Sequence, residues 1–211
     1  RYLVQAREKG AKIVVVDPRL CSTAAIADQW IALKPQTDPA LALGMMNVII
    51  GNDLHDKEWL AAHSVAPFLV KESDGSYLMD GEDWMVWDTA TDSAKKYNED
   101  GVAPALTGSF DANGEAVRTA FDHLTDEVAK YTLPVTAEIT GLSEEVIETF
   151  ALEYANAKPA GIRMGQGMQR VWNSFAPFRT VAVLAAVAGY VGVEGGGASH
   201  MGGITAAQPH S

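Results

Sequence analysis

The sequence predicts an α/β protein with a Rossmann-like, mostly parallel sheet, flanking helices and a central irregular insertion. Three observations carry that expectation. Ile13-Val14-Val15-Val16 is a continuous β-branched run, the kind a parallel sheet covered on both faces demands. Helical segments alternate with such runs near both ends of the chain. Between them, residues 65–115 break into short β-like pieces separated by the turn signals Asp74-Gly75, Asp80-Gly81 and Asn113-Gly114.

In chain order, Tyr2 to Glu8 is helical in character and Lys9-Gly10 ends it, before a strand over Ala11 to Val16 that Asp17-Pro18 stops. Ser22-Thr23 caps a short helix through Asp28, and Trp30 to Leu33 is a second strand. Thr37 or Asp38 supplies the N-cap oxygen of the next helix, with Pro39 in its first turn, where a missing N–H does no harm. That helix continues over Ala40 to Ile50 and stops at Gly51-Asn52; Asp56 caps another through Ala62. In the insertion, Phe68 to Lys71 and Tyr77 to Met79 are the β-like pieces, and Trp84 and Trp87 read as packing residues, with contact to a substrate the alternative for either. Helical pattern returns over Ala116 to Tyr131 and again over Ser143 to Ala157, where Glu144 and Glu145 complement the helix dipole. Gly161 to Met164 reads as a strand, Phe178 to Ala188 as a helix, and Gly192 to Gly197 as a glycine-rich loop. The expected division is thus 1–64 and 116–211 as two parts of one α/β domain, with 65–115 inserted.

Composition narrows the function classes. The chain has 211 residues, 47% of them hydrophobic, and can bury a substantial core. Its net charge of -11 argues against a nucleic-acid or anionic-membrane surface, which needs clustered Lys and Arg. One cysteine excludes an internal disulfide framework and any zinc or iron–sulfur site built from several cysteines of this chain. The longest apolar run, Val181 to Val193, is too short to span a bilayer. With Arg1 first and a helix already in progress at Tyr2, the chain reads as an internal piece of a longer polypeptide.

Three loops follow the expected strands, and open α/β sheets bind ligands at the carboxyl ends of their strands. In Asp17-Pro18-Arg19, the carboxylate suits a ribose or guanine edge and the arginine a phosphate; a turn with a surface ion pair accounts for the same residues. Pro35-Gln36-Thr37-Asp38 sits at a strand-to-helix junction, where free N–H groups attract nucleotide atoms, though Asp38 as a plain cap is the simpler reading. Gly165-Gln166-Gly167-Met168-Gln169-Arg170 places two glycines where a backbone can approach a pyrophosphate and Arg170 where it can neutralise one. A tight turn needing positive φ explains the glycines equally well. The final glycine of a dinucleotide fingerprint is missing.

Other polar residues carry less. Cys21 reads as a small helix residue. Ser199 and His200 are neighbours with no elbow motif, and His55, His63 and His123 lack metal-ligand spacing. No catalytic residue and no metal ligand is assigned within the chain.

Taken together and in order, the loops resemble the dimethyl sulfoxide reductase family of molybdenum or tungsten enzymes carrying bis(molybdopterin guanine dinucleotide). The matching residues are Gly10 to Arg19, Thr23-Ala24, Ala27-Asp28, Trp30 to Leu41, Gly165 to Arg170 with Asn173 beyond, and Ala188 to Gly197. The last of these is similar to the family's G-N-x-G-x-x-G-G-G segment, with Tyr190 in place of the Asn and Glu194 where proline is usual. Ala103 to Gly108 and Thr119-Ala120-Phe121 resemble members from anaerobic bacteria, including hydroxytransferases, dehydroxylases and hydratase-like relatives.

The resemblance implies that Asp17, Pro18 and Arg19 lie along one guanosine diphosphate arm and that Gln36, Thr37 and Asp38 contact the same nucleotide. Asp38 would accept from the guanine N1–H and N2–H₂ edge, a donor pair that adenine lacks. Gly165, Gln166, Gly167, Met168, Gln169 and Arg170 would line the cofactor nearer its pterin and metal end. In this family the metal's protein ligand and any iron–sulfur cysteines lie upstream, so Cys21 is not that ligand. The segment alone is expected to be inert and to bind the cofactor poorly. Implied partners are a small-molecule substrate, an iron–sulfur electron-transfer subunit, and the remaining domains of the same polypeptide. Family members are exported through twin-arginine signals or stay in the cytoplasm, which leaves localisation open. Two other readings compete: a structural, non-catalytic relative, as the large iron–sulfur subunit of respiratory complex I is similar to this family, and the nucleotide-binding-like domain of a thiamine-diphosphate enzyme.

Overall fold

A computed structural model describes residues 2–170 and 172–200. In chain order the elements are α1 (Tyr2–Glu8), β1 (Val14–Val16), β2 (Gln29–Ile31), α2 (Asp38–Gly51), α3 (Lys57–His63), β3 (Leu69–Lys71), β4 (Met79–Asp80), β5 (Asp83–Asp88) and β6 (Ser93–Lys96). Then come β7 (Ser109–Ala112), β8 (Glu115–Thr119), α4 (Ala120–Val128), α5 (Leu133–Thr140), α6 (Glu144–Asn156), β9 (Gly161–Met164), α7 (Phe175–Val187) and β10 (Gly197–His200). The fold is mixed α/β, as expected, but its sheets are small. Parallel pairing occurs in two separate two-stranded units, β1–β2 and β9–β10, while two three-stranded antiparallel sheets occupy the middle of the chain. A single mostly parallel sheet is therefore not what the described residues form.

Helix α2 organises the main core. Pro39 sits in its first turn, and Ala40, Leu41, Ala42, Gly44, Met45, Met46, Val48 and Ile49 are all buried. A helix apolar on every side must be surrounded, and α2 is packed against by α4, α5, α6 and α7. Leu33, Ile147, Ala151, Met164, Leu184 and Val187 belong to the same cluster, with Val16, Ile162, Met168 and Ala198 packed against it. Both parallel pairs thus rest on one core. Gly44 lets α5 approach: a Cβ there would lie 2.5 Å from Thr136 Oγ1.

The central segment has a core of its own, made of Leu69, Trp87, Ala105 and Val117. Trp87 stacks on Phe110 at 4.5 Å between ring centroids, and its indole N–H donates to Asp92. Trp84 is partly exposed but touches Phe68 and Tyr97. Asp88 is 1% exposed and holds the sheet's far end. It accepts from the Thr91 hydroxyl and the Ala90 and Ala103 N–H groups and pairs with Lys95 at 3.0 Å. Those donors, led by Thr91, keep its carboxyl far below the usual carboxylate range.

Several expected elements differ. The helix expected over Ala116 to Tyr131 begins only at Ala120, because Asn113 and Gly114, at φ 59 and 91, turn β7 back onto β8 with Ala112 opposite Glu115. Period-two burial of Val117 and Thr119 then keeps the chain in a strand until the Thr119 hydroxyl caps α4 by accepting from the Asp122 N–H. Helix α5 was not expected; Pro134 in its first turn and Gly141 in the left-handed C-cap are its signals. The helix expected from Ser22-Thr23 to Asp28 is a single 3₁₀ turn at Ala24–Ile26 without a side-chain cap. The glycine-rich tail ends in β10.

Gly44→Ala gains helix propensity worth about 1 kcal/mol but forces a methyl group into Thr136. A net loss of about 1–3 kcal/mol is expected in urea unfolding. In a Thr136→Ala background the same substitution should become neutral or stabilising.

Candidate functional site

Val16 lies opposite Ile31 in parallel register, so the loops after β1 and β2 leave the same end of that pair. The first loop is pinned by the strand beside it. The Asp17 N–H donates to the Ile31 carbonyl at 3.2 Å, the Trp30 indole N–H donates to the Asp17 carbonyl at 2.8 Å, and the Arg19 N–H donates to Asp17 Oδ1 at 2.8 Å. Pro18 and Arg19 are exposed.

The second loop is pinned by α5. The Lys34 N–H donates to the Thr140 carbonyl at 2.8 Å and Lys34 Nζ to the Glu138 carbonyl at 2.9 Å. A Cβ on Gly141 would strike the Lys34 side chain at 2.9 Å. The backbone then turns sharply, with Gln36 in the left-handed region at φ 69, a conformation that costs about 1–2 kcal/mol for a residue with a side chain. The cap expected from Thr37 or Asp38 is not formed. Thr37 occupies the N-cap position, but its hydroxyl donates back to the Lys34 carbonyl at 2.7 Å, so no side chain caps the first turn of α2.

Asp38 opens α2. Burial pushes its carboxyl above the usual range and the Asp17 charge adds to that, against a lowering by its own backbone N–H. Neither carboxylate has an ion-pair partner among the described residues. The structure thus brings loops one and two together around two acids with no cation beside them.

The third loop leaves the carboxyl end of β9, which pairs in parallel with β10 so that Met164 faces His200. Gly165 is extended, at φ -88 and ψ 164, and Gln166–Gln169 form a 3₁₀ turn closed by the Arg170 N–H on the Gly167 carbonyl at 3.1 Å. The positive-φ explanation fails here, since neither Gly165 nor Gly167 has a positive φ. Among the described residues nothing lies within 4 Å of a Cβ built on either. Gly161 and Gly196 differ, because a Cβ there would strike Gly195 O at 2.9 Å and Tyr190 O at 2.5 Å. Glycine in the third loop serves nothing inside the described chain and leaves backbone open to close approach. Met168 anchors this loop to the core that Val16 and Leu33 also join, while Gln166, Gln169 and Arg170 are exposed.

Charge is distributed unevenly. Lysines 12, 57, 71, 95, 96 and 130 each meet a carboxylate, yet Arg19, Arg163, Arg170 and Arg179 have no carboxylate partner among the described residues. All four arginines lie in the first and third loops or the elements beside them. Among the described residues of this chain of net charge -11, these arginines together with Lys9, Lys34 and Lys158 are the cations that meet no carboxylate, and Arg19 and Arg170 are the ones within the first and third loops. Cys21 is a free thiol, and no group of three or more His, Cys, Asp or Glu able to hold a metal occurs among the described residues. No described helix is long and apolar enough to cross a membrane.

A cleft of about 270 Å³ elsewhere, lined by Asp53, His55, Lys57, Phe121 and Asp122 among others, contains none of the loop residues. Residues that sequence reasoning passed over are Trp30 and Lys34, which pin the first two loops, and His200, whose Nδ1 lies 3.4 Å from the Gln169 amide nitrogen. Only the parallel register of β10 brings His200 there.

The profile of the molybdopterin oxidoreductases matches residues 1–210, and the chain belongs to that family. It is 31% identical to the alpha chain of dimethylsulfide dehydrogenase from Rhodovulum sulfidophilum, over 92% of this chain and 24% of that one. It is 34% identical to a putative dimethyl sulfoxide reductase catalytic subunit from Halobacterium salinarum, over the same shares. Among solved structures, acetylene hydratase from Pelobacter acetylenicus superposes with a TM-score of 0.58 at 27% identity, over 89% of this chain and 18% of that one. The chain therefore spans about a quarter of the length of the curated relatives it matches.

Because the folded state prefers Asp38 protonated, its charge costs stability as pH rises from the ordinary value of 3.8 through the raised folded value. Asp38→Asn is expected to raise the unfolding temperature at neutral pH and to leave it unchanged below pH 3.8. Melting followed by circular dichroism at both pH values checks this; an equal change at both contradicts it.

Proposed function

We propose that this chain is a cofactor-binding segment of a larger molybdenum or tungsten oxidoreductase and that it holds a guanine dinucleotide arm of bis(molybdopterin guanine dinucleotide). The observation that carries the reading is the third loop. Gly165 and Gly167 have neither an unusual backbone nor a crowded neighbour to require them, and they lie beside an arginine without a carboxylate partner.

The other residues fit the same group. Asp38, half-buried and without a cation, gains partners from the guanine N1–H and N2–H₂ donors, which favour its charged form and discriminate against adenine. The uncapped first turn of α2 offers N–H groups to oxygen atoms of the nucleotide. Gln36 and Thr37 shape that junction, Asp17 and Pro18 form the wall beside it, and Arg19 and Arg170 neutralise phosphate. Gln166, Met168 and Gln169 extend the third loop along the cofactor. When bound, the cofactor supplies the metal centre for two-electron redox, oxygen-atom or hydroxyl transfer on a small molecule; the protein orients it and tunes its surroundings.

The same reading takes residues 1–64 and the chain from α4 onward as two parts of one α/β domain, with the insertion that was expected over 65–115 running on through β8, which pairs with β3 and β7. What supports it is that β1–β2 and β9–β10 share the core around α2, whereas the central strands have another. The domains that complete the cofactor's shell lie outside this segment, so the segment alone is inert and binds the cofactor weakly. Relatives named as alpha or catalytic subunits support an electron-transfer partner subunit.

The test is Gly165→Val and Gly167→Val in the complete subunit. Open space at both positions means the melting temperature should not change. Bound GMP, released by acid and quantified per polypeptide, should fall about tenfold, equivalent to about 1.4 kcal/mol of binding. Undiminished GMP in both variants would overturn the proposal.

A further inference from the structure

We infer that His200 is a positioning residue of this site, acting through Gln169; the inference rests on the function proposed above. Four observations converge on the ring. Its place is set by register, since the parallel β9–β10 pair puts His200 opposite Met164, at the strand end from which the third loop departs. Its tilt is set by Phe178, which meets it edge to face at 4.6 Å between centroids and 76° between planes, and which packs on the main core. Its Nδ1 accepts from the Gln169 side-chain amide at 3.4 Å. Its Nε2 is shut off from solvent with no hydrogen-bond partner among the described residues.

The chemistry follows from these contacts. With Nδ1 as acceptor, the imidazole proton resides on Nε2, where burial leaves it without an acceptor. A buried donor left unmatched is unfavourable, and a phenyl ring of similar shape would meet Phe178 equally well without it. Packing therefore does not account for a histidine here, whereas holding Gln169 does. Gln169 is otherwise an exposed side chain on a short 3₁₀ turn, free to sample many rotamers. Tied at one amide N–H, it keeps its second N–H and its carbonyl in one orientation towards whatever lies over Gly165 and Gly167. Ser199, the neighbour of His200 in sequence, plays no part: alternation along β10 turns it to the other face.

The experiment uses the complete subunit, purified without oxygen, in five forms: wild type, His200→Phe, His200→Asn, Gln169→Leu and the His200→Phe/Gln169→Leu double variant. The readouts are GMP retained per polypeptide after timed dialysis and the melting temperature. His200→Phe, which keeps the contact with Phe178 but has no ring nitrogen, is expected to retain about tenfold less GMP at an unchanged melting temperature. His200→Asn, whose amide can take the place of Nδ1, is expected to stay within about twofold of wild type. Gln169→Leu should lose as much as His200→Phe, and the double variant no more than either, as two residues acting through one contact require. Wild-type GMP retention in His200→Phe or Gln169→Leu, a loss in His200→Asn equal to that in His200→Phe, or additive losses would each overturn the inference. If His200→Phe does not fold, the contrast between His200→Asn and Gln169→Leu decides alone, and equal retention in the two is the overturning result. A wild-type subunit holding no GMP would instead overturn the proposed function, and this inference with it.

Discussion

Burial of α2 on every side is the constraint on which the structure depends. A helix whose Leu41, Met45, Met46, Val48 and Ile49 all lie in the interior cannot stand at a surface, and each such side chain contributes about 1.5–3 kcal/mol when fully buried. α5, α6 and α7 close around it, and Val16, Leu33, Met164 and Met168 reach the same cluster from the strands and loops. The three loops are thus fixed by one core. The amino end of α2 surfaces where the second loop turns, with Asp38 lying at the boundary between core and solvent.

That boundary sacrifices some stability. Matching is close at Asp88, which collects two N–H groups, a hydroxyl and a lysine, and at Lys96, which lies between Asp80 and Asp83. Around the loops the matching fails. Asp17 and Asp38 repel one another, Gln36 takes a backbone conformation that disfavours a side chain, and Arg19 and Arg170 find no acid among the described residues. Strain and unmatched charge gathered at these loops are what the proposed cofactor site rests on.

Much of this was legible from residues alone. The β-branched run at Ile13 to Val16, the Pro39 signal in α2 and the Ser143 cap of α6 state their elements locally, and the three loops were found by their place after strands. What was missed depends on partners distant in sequence. Ala116 to Thr119 has a pattern that helix and strand share over so short a span, and only pairing with β3 and β7 decides it. The apolar runs that suggested one sheet are real strands, but each pair is only two strands wide. Glycines at 165 and 167 looked like turn residues because sequence cannot separate a need for positive φ from a need for clearance. His200 has no local signal at all; its proximity to Gln169 follows from the β9–β10 register.

The proposed cofactor site is tested most directly on the complete gene product. The direct measurement is elemental analysis for molybdenum and tungsten together with acid release of GMP, on material purified without oxygen from cells able to assemble the cofactor. About one metal ion and about two GMP per polypeptide are expected, as a cofactor with two guanine dinucleotide arms requires. Well-folded protein from such cells with neither metal nor GMP would contradict the proposed site.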